Sequence, residues 1–141
     1  MLSDCALSDL LFESRTIAVV GLSDKLFRDS YAVAGYLKRN GYHVVPVNPR
    51  LSEPVLGLQP YASLRAVPEQ IDIVNVFRRS AYVSEIVTDA IAVGAKAIWT
   101  QLGVIDHEAA RRARAAGLQV VMDRCIAVEH RRLSRYVLAA A

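Results

Sequence analysis

The stretch Gly21-Leu22-Ser23-Asp24-Lys25-Leu26-Phe27-Arg28-Asp29-Ser30 carries residue types suited to holding an anion. A glycine lets the backbone come close to a ligand. Ser23 and Ser30 offer hydroxyls. Lys25 and Arg28 offer charge-assisted hydrogen bonds, each worth about 1.5–3 kcal/mol net. A helix capped by Ser30 would add the partial positive charge of its first amides. Similar groups recur in Asn48-Pro49-Arg50, Phe77-Arg78-Arg79, Thr100-Gln101-Leu102-Gly103 and Asp123-Arg124-Cys125. If these segments meet, Lys25, Arg28, Arg50, Arg78, Arg79 and Arg124 are offset only in part by Asp24 and Asp123. That balance predicts a ligand carrying phosphate.

The elements needed to bring them together are legible. Near-continuous apolar, β-branched runs at Thr16–Val20, His43–Val47, Ile71–Phe77, Ala95–Thr100 and Leu118–Met122 read as strands covered on both faces. Each polar segment above follows or ends one of these strands. Between them lie helical patterns with cap and stop signals: Ser30 to Gly41 (stripe Val33, Tyr36, Leu37), Ser80 to Gly94 (Val83, Ile86, Val87, Ala90, Ile91), and Asp106 to Gly117. Alternating strands and helices predict an α/β, Rossmann-like, doubly wound and mainly parallel sheet of five or six strands, helices on both faces. In such a sheet, ligands bind beyond the carboxyl ends of the strands at the switch point. Residues 1–14 read as a leading helix and Ile126–Tyr136 as a closing one, with a tail at 134–141. The Pro-rich stretch Leu51–Gln70 is expected to hold a short edge strand near Val55–Leu58 and one helical turn. Pro46 predicts incomplete pairing or a bulge in the second strand. The 141 residues fit a single domain.

Composition removes several classes. The apolar share of 53% and charged share of 22% suit a globular chain rather than a disordered one. A net charge of +3 is too mild to imply a nucleic-acid protein. Arg111, Arg112, Arg114, Arg124, Arg131, Arg132 and Arg135 crowd the last third, which reads as a solvated helical face and a basic tail. Tyr136 is the only aromatic near them, so no stacking platform for single strands is evident. Two cysteines form no disulfide framework. No run approaches the roughly 20 apolar residues of a membrane span, and no signal peptide is evident. A cytoplasmic location, with neither membrane nor nucleic acid as partner, is the expectation.

NAD fits poorly. Its fingerprint needs three glycines, and after Gly21 none arrives before Gly35. An NAD site also wants an acid at the end of the second strand, where Asn48 stands. Arg50 could serve a 2′-phosphate, which keeps an NADP-linked oxidoreductase as an alternative.

The order IAVVGLSDKLFRDSYAVAGYLKRNGYHVVPVNP, VFRR, WTQLGV and VMDRC resembles the small stand-alone CoA-binding proteins. Their Rossmann-like domain is similar to the N-terminal domain of the succinyl-CoA synthetase α subunit and of nucleoside-diphosphate-forming acyl-CoA synthetases. The likeness spans about residues 15–133. It implies coenzyme A or a short acyl-CoA as ligand, with the loop Gly21–Ser30 holding phosphates through Ser23, Lys25 and Arg28. It places Asn48 and Pro49 beside the adenosine, Phe77, Arg78 and Arg79 over the nucleotide, and Trp99, Gln101 and Gly103 along the pantetheine. Ligase activity is not carried over. The larger enzymes use a phosphorylated histidine on a second domain, and His43, His107 and His130 sit in no catalytic constellation.

Other chemistry is thin. Cys125 with His130 could form a thiol nucleophile and base, which keeps a thioester enzyme open, although a buried inert cysteine is the plainer reading. Asp123, Cys125, Glu129 and His130 match no standard metal spacing, and no metal is expected. The sequence thus points to a CoA-binding carrier, sensor or regulatory module with no catalytic residue evident. A protein-interaction module with structural CoA is the remaining alternative, and any protein partner is unidentified.

Overall fold

The computed structural model describes the backbone of residues 2–140 and the side chains of residues 2–135. The elements run α1 (Asp4–Glu13), β1 (Thr16–Val20), α2 (Asp29–Arg39), β2 (His43–Val47), β3 (Ile73–Val76), α3 (Val83–Ala92), β4 (Ala97–Thr100), α4 (His107–Ala115), β5 (Gln119–Val121) and α5 (Ile126–Ala140). The strands form one sheet of five in the order β2-β1-β3-β4-β5, every neighbouring pair parallel. No helix among the described residues is long and apolar enough to cross a membrane. The closing helix outruns its expected end at Tyr136. The Tyr136 side chain and Ala141 lie outside the described residues, so the expected tail is described only as backbone.

Strand alternation sorts the core into two layers. Ala18, Val20, Val45, Val74, Val76, Ile98 and Val120 pack against α3 and α4. Ile17, Val19, Val44, Ile73, Ala97, Trp99 and Val121 pack against α1, α2 and α5. Both faces are therefore apolar, which is why the strands read as continuous runs rather than alternating ones. Asp72, at the opposite end of the sheet from the strand C-termini, joins several segments. Its carboxylate accepts the Arg15 and Thr16 amides at 2.8 and 3.0 Å and stands 3.2 Å from Lys96 Nζ.

Four local expectations need correction. Ser30 does not cap α2: it lies in the first turn, the N-cap is Arg28 without a side-chain bond, and Ser30 Oγ accepts the Ser23 amide. Ser80 opens a 3-10 turn, Ser80–Tyr82, ahead of α3, and its Oγ accepts the Ile105 amide across the chain. Asp106 does cap α4, accepting the Ala109 amide at 3.0 Å. Val55–Leu58 is a tight turn closed by a pair of mutual backbone bonds, not an edge strand; Tyr61 is the residue that meets the β2 edge. Pro46 keeps unbroken register with Val19 and causes no bulge. Its carbonyl accepts the Tyr61 amide, so its backbone groups face away from β1 and the missing N–H removes no bond to β1. The expected helical turn appears at Leu64–Ala66.

Candidate functional site

A cleft of about 850 Å³ opens beyond the C-terminal ends of β2, β1 and β3. Here the chain crosses from β1 to β2 on one side and later to β3 on the other. The loops after β1 and β3 diverge and leave a crevice between them.

The floor is built on Gly21. Its N–H donates to the Val47 carbonyl at 2.8 Å, which joins the end of β1 to the end of β2. Its φ is +87°, and a Cβ there would stand 2.5 Å from the Phe77 carbonyl oxygen and 3.0 Å from Arg78 Cδ. The β1 and β3 loops thus touch at their roots, before they diverge, and only glycine permits the contact. Beyond it, the Ser23 amide donates to Ser30 Oγ and the Lys25 amide to Ser23 Oγ, each at 3.0 Å. Asn48 Nδ2 donates to the Leu22 carbonyl at 3.0 Å, and Asn48 Oδ1 accepts the Arg50 amide at 2.9 Å. Ser23, Ser30 and Asn48 therefore brace the loops. Neither serine hydroxyl donates to another described residue. The Asp29 and Ser30 amides in the first turn of α2 also find no acceptor among the described residues. Such open amides carry the positive end of the helix dipole.

The walls are cationic. Lys25, Arg28, Arg50, Arg78 and Arg79 all line the cleft, and none of their side chains is ion-paired among the described residues. Several cations elsewhere find acids: Arg65 with Asp89 at 2.8 Å, Arg111 with Glu108 at 2.7 Å, Arg132 with Asp4 at 2.9 Å. Within the cleft, Arg78 lies over the Tyr82 ring at 4.1 Å and Arg28 over Phe27 at 5.4 Å. Asp24 and Asp29 place two carboxylates on the same walls. The arrangement concentrates unneutralised positive charge in a concave site, which favours a polyanion.

The cleft brings together Gly21, Ser23, Lys25, Arg28, Ser30, Asn48, Phe77, Arg78 and Arg79. Four other singled-out residues do not line it. Pro49 is exposed beside it. Trp99 is fully buried in the α1–α2–α5 layer, and its Nε1 donates to the Arg124 carbonyl at 2.8 Å. Gln101 is buried, and its Oε1 accepts the Ile126 amide at 3.1 Å at the start of α5. The Gly103 N–H donates to Asp123 Oδ1 at 2.7 Å. Trp99, Gln101 and Gly103 come from β4 and its following loop, one strand beyond the switch point. Arg124 lines a second, smaller hollow of about 260 Å³ along the outer edge of β5, with Ile105, Val120 and Met122. Leu51, Phe27 and Tyr82 line the main cleft and were not singled out by sequence. Phe27, 79% exposed in a polar loop between two cations, was the readable signal. Tyr82 gave none, because it sat inside an expected helix.

The groups considered for thiol or metal chemistry have separate partners. Cys125 is half-buried and packs against the α1–α2–α5 layer. His130 lies 2.8 Å from the Tyr36 hydroxyl through Nδ1, and burial pushes its pKa below the ordinary histidine value. Glu129 accepts from Arg132 at 2.6 Å. Among the described residues no three His, Cys, Asp or Glu side chains converge to hold a metal.

Comparison with known proteins matches residues 15–131 to the family model described as CoA binding domain. The uncharacterized protein YneT of Bacillus subtilis is 38% identical over 128 residues, 91% of this chain and 94% of that protein. A hypothetical protein from Pyrococcus horikoshii OT3 has a solved structure that superposes with a TM-score of 0.91 at 40% identity, covering 94% of this chain and 93% of that one. ADP-forming acetate–CoA ligase II of Archaeoglobus fulgidus is 28% identical over 97 residues, which is 66% of this chain and 14% of the ligase.

Proposed function

This chain belongs to the CoA-binding domain family, and on that premise we propose that it binds coenzyme A or a short acyl-CoA in the cleft at the β1–β3 switch point, as a carrier, sensor or regulatory module. One observation carries the reading: Lys25, Arg28, Arg50, Arg78 and Arg79 converge there with no ion pair among the described residues. Coenzyme A brings a pyrophosphate and a 3′-phosphate, enough negative charge to answer that many cations. The open amides of Asp29 and Ser30 and the idle hydroxyls of Ser23 and Ser30 supply donors for the same oxygens. NAD carries only the pyrophosphate, and it would meet Asn48 where its ribose needs an acid. Asn48 is moreover held at both ends of its amide by Leu22 and Arg50.

Titration calorimetry on protein stripped of bound nucleotide tests this, with coenzyme A, acetyl-CoA, dephospho-CoA, NAD and NADP as ligands. Coenzyme A is expected to bind near micromolar, about −8 kcal/mol. Dephospho-CoA and NAD are expected to bind more weakly. Arg28→Ala and Arg78→Ala should each cost about tenfold, or about 1.4 kcal/mol. Indifference to all five ligands would remove the reading, and unchanged affinity in both variants would move the phosphates elsewhere.

A further inference from the structure

We infer that Tyr82 is the positioning residue for Arg78, holding its guanidinium ready for a phosphate before any ligand arrives; this rests on the reading of the cleft as a coenzyme A site. Arg78 is fixed at two points. A Cβ on Gly21 would stand 3.0 Å from Arg78 Cδ, so the stem of the arginine runs across the glycine. Its guanidinium carbon then lies over the Tyr82 ring, 4.1 Å from the centroid. Arg78 is half-buried, whereas its neighbour Arg79 is exposed.

The chemistry of the two groups explains why stacking suits this task. The five guanidinium N–H donors lie in the plane of the group, and stacking occupies its face. A ring beneath the guanidinium restricts the side chain while leaving the planar fork available to two phosphate oxygens. An acidic partner would restrict it equally well but would occupy the fork. Arg78 thus keeps its order without spending its donors, and less rotamer freedom is lost on binding. Tyr82 is itself placed by the 3-10 turn Ser80–Tyr82, whose last amide donates to the Arg79 carbonyl at 2.9 Å. Ser80 Oγ accepts the Ile105 amide at 2.9 Å, which anchors that turn to the loop after β4. The second stack, Arg28 on Phe27, is looser at 5.4 Å and sits on a ring 79% exposed, so it does not carry the same argument.

The test combines calorimetry and NMR on the full chain: wild type, Tyr82→Phe, Tyr82→Leu, Arg78→Ala and the double variant Arg78→Ala/Tyr82→Leu. Tyr82→Leu should weaken coenzyme A about three- to tenfold, because a stacked cation loses its ring. Tyr82→Phe keeps the ring and should stay within about twofold. In the Arg78→Ala background, Tyr82→Leu should cost nothing further, which is the signature of a residue acting through another. In the ligand-free protein, the Arg78 Nε–H resonance should carry a ring-current shift that survives Tyr82→Phe and vanishes in Tyr82→Leu. An unmoved resonance in Tyr82→Leu overturns the inference whether or not coenzyme A binds. So does an equal loss with and without Arg78, or a loss in Tyr82→Phe as large as in Tyr82→Leu. If wild type binds neither coenzyme A nor inorganic pyrophosphate while the resonance behaves as expected, the stacking stands, and both the coenzyme A reading and the phosphate role inferred from it fall.

Discussion

At the scale of single residues, Gly21 is where backbone conformation and site geometry meet. A lone glycine after the first strand suggested close approach to a ligand. The structure gives it a nearer neighbour, because the space a Cβ would fill already holds the Phe77 carbonyl at 2.5 Å. Any other residue must also take a φ of +87°. Gly21→Ala should therefore cost about 2 kcal/mol of stability from the backbone conformation alone. It should also lower coenzyme A affinity, because relief of the contact pushes the β1 loop away from Phe77 and Arg78. Urea unfolding and calorimetry on the same preparation check both parts. A variant with wild-type midpoint and wild-type affinity would mean the loop yields without consequence. The absence of the second glycine of the dinucleotide fingerprint also has a local account. Ser23 stands in its place and its Oγ accepts the Lys25 amide, a side-chain bond that a glycine could not make.

At the scale of elements, the strands were the most legible part, because two covered faces leave little choice but continuous apolar runs. β1 and β2 match their expected limits, and the other three are shorter than expected by a residue or more at each end, apart from the shared end of β4 at Thr100. The caps divided according to where the side chain found its partner. Asp106 bonds three residues ahead, a local pattern that sequence displays. Ser30 and Ser80 bond to amides 7 and 25 residues away, and nothing in the local sequence announces that. The site was legible to the same extent. Which segments lie at the carboxyl edge followed from the strands, but which of them share the crevice depends on strand order, and that placed the loop after β4 outside it. The helical layer has a prediction of its own. His130 of α5 is enclosed by Phe12 of α1, Tyr36 of α2 and Tyr42, with ring centroids 5.0, 5.4 and 5.6 Å away. Ser134 Oγ lies 3.5 Å from its Nδ1, and the guanidinium of the adjacent Arg131 lies over the Tyr36 ring, 5.1 Å from its centroid. No carboxylate faces it among the described residues, and burial holds its pKa below 6.5. The folded state therefore binds fewer protons at His130 than the unfolded chain does. Its contribution is complete above the unfolded value and is lost as pH falls from about 6.5 through the lower folded value. Urea midpoints should fall between pH 7.5 and 5, with the fall reduced in His130→Gln. Equal pH dependence in both proteins would assign the effect to other groups.

At the scale of the whole molecule, the net charge of +3 conceals a division of labour among the cations. The arginine-rich last third suggested a basic face, yet its members are spread over both sides of the sheet and are largely engaged. Arg111 pairs with Glu108, Arg112 donates to Thr88 and Ser84, and Arg132 forks onto Asp4 and Glu129. Among the described residues, five cations without an ion pair meet at the cleft between β2, β1 and β3. Five cations against the two carboxylates of Asp24 and Asp29 leave a net positive field there, which favours a polyanion. Coenzyme A at about 100 times its dissociation constant should add about 2.7 kcal/mol of stability, a rise in melting temperature on the order of 10 °C for a chain of this size. Potassium chloride should weaken binding as it screens the cleft, with affinity falling several-fold between about 0.05 and 0.5 M. Charge reversal separates the cleft from the bulk charge: Arg111→Glu lowers the net charge as much as Arg79→Glu does, but on the α4 surface. Arg79→Glu should weaken coenzyme A strongly, and Arg111→Glu should leave it within about twofold. Equal losses in the two would mean that the overall charge, rather than the cleft, attracts the ligand.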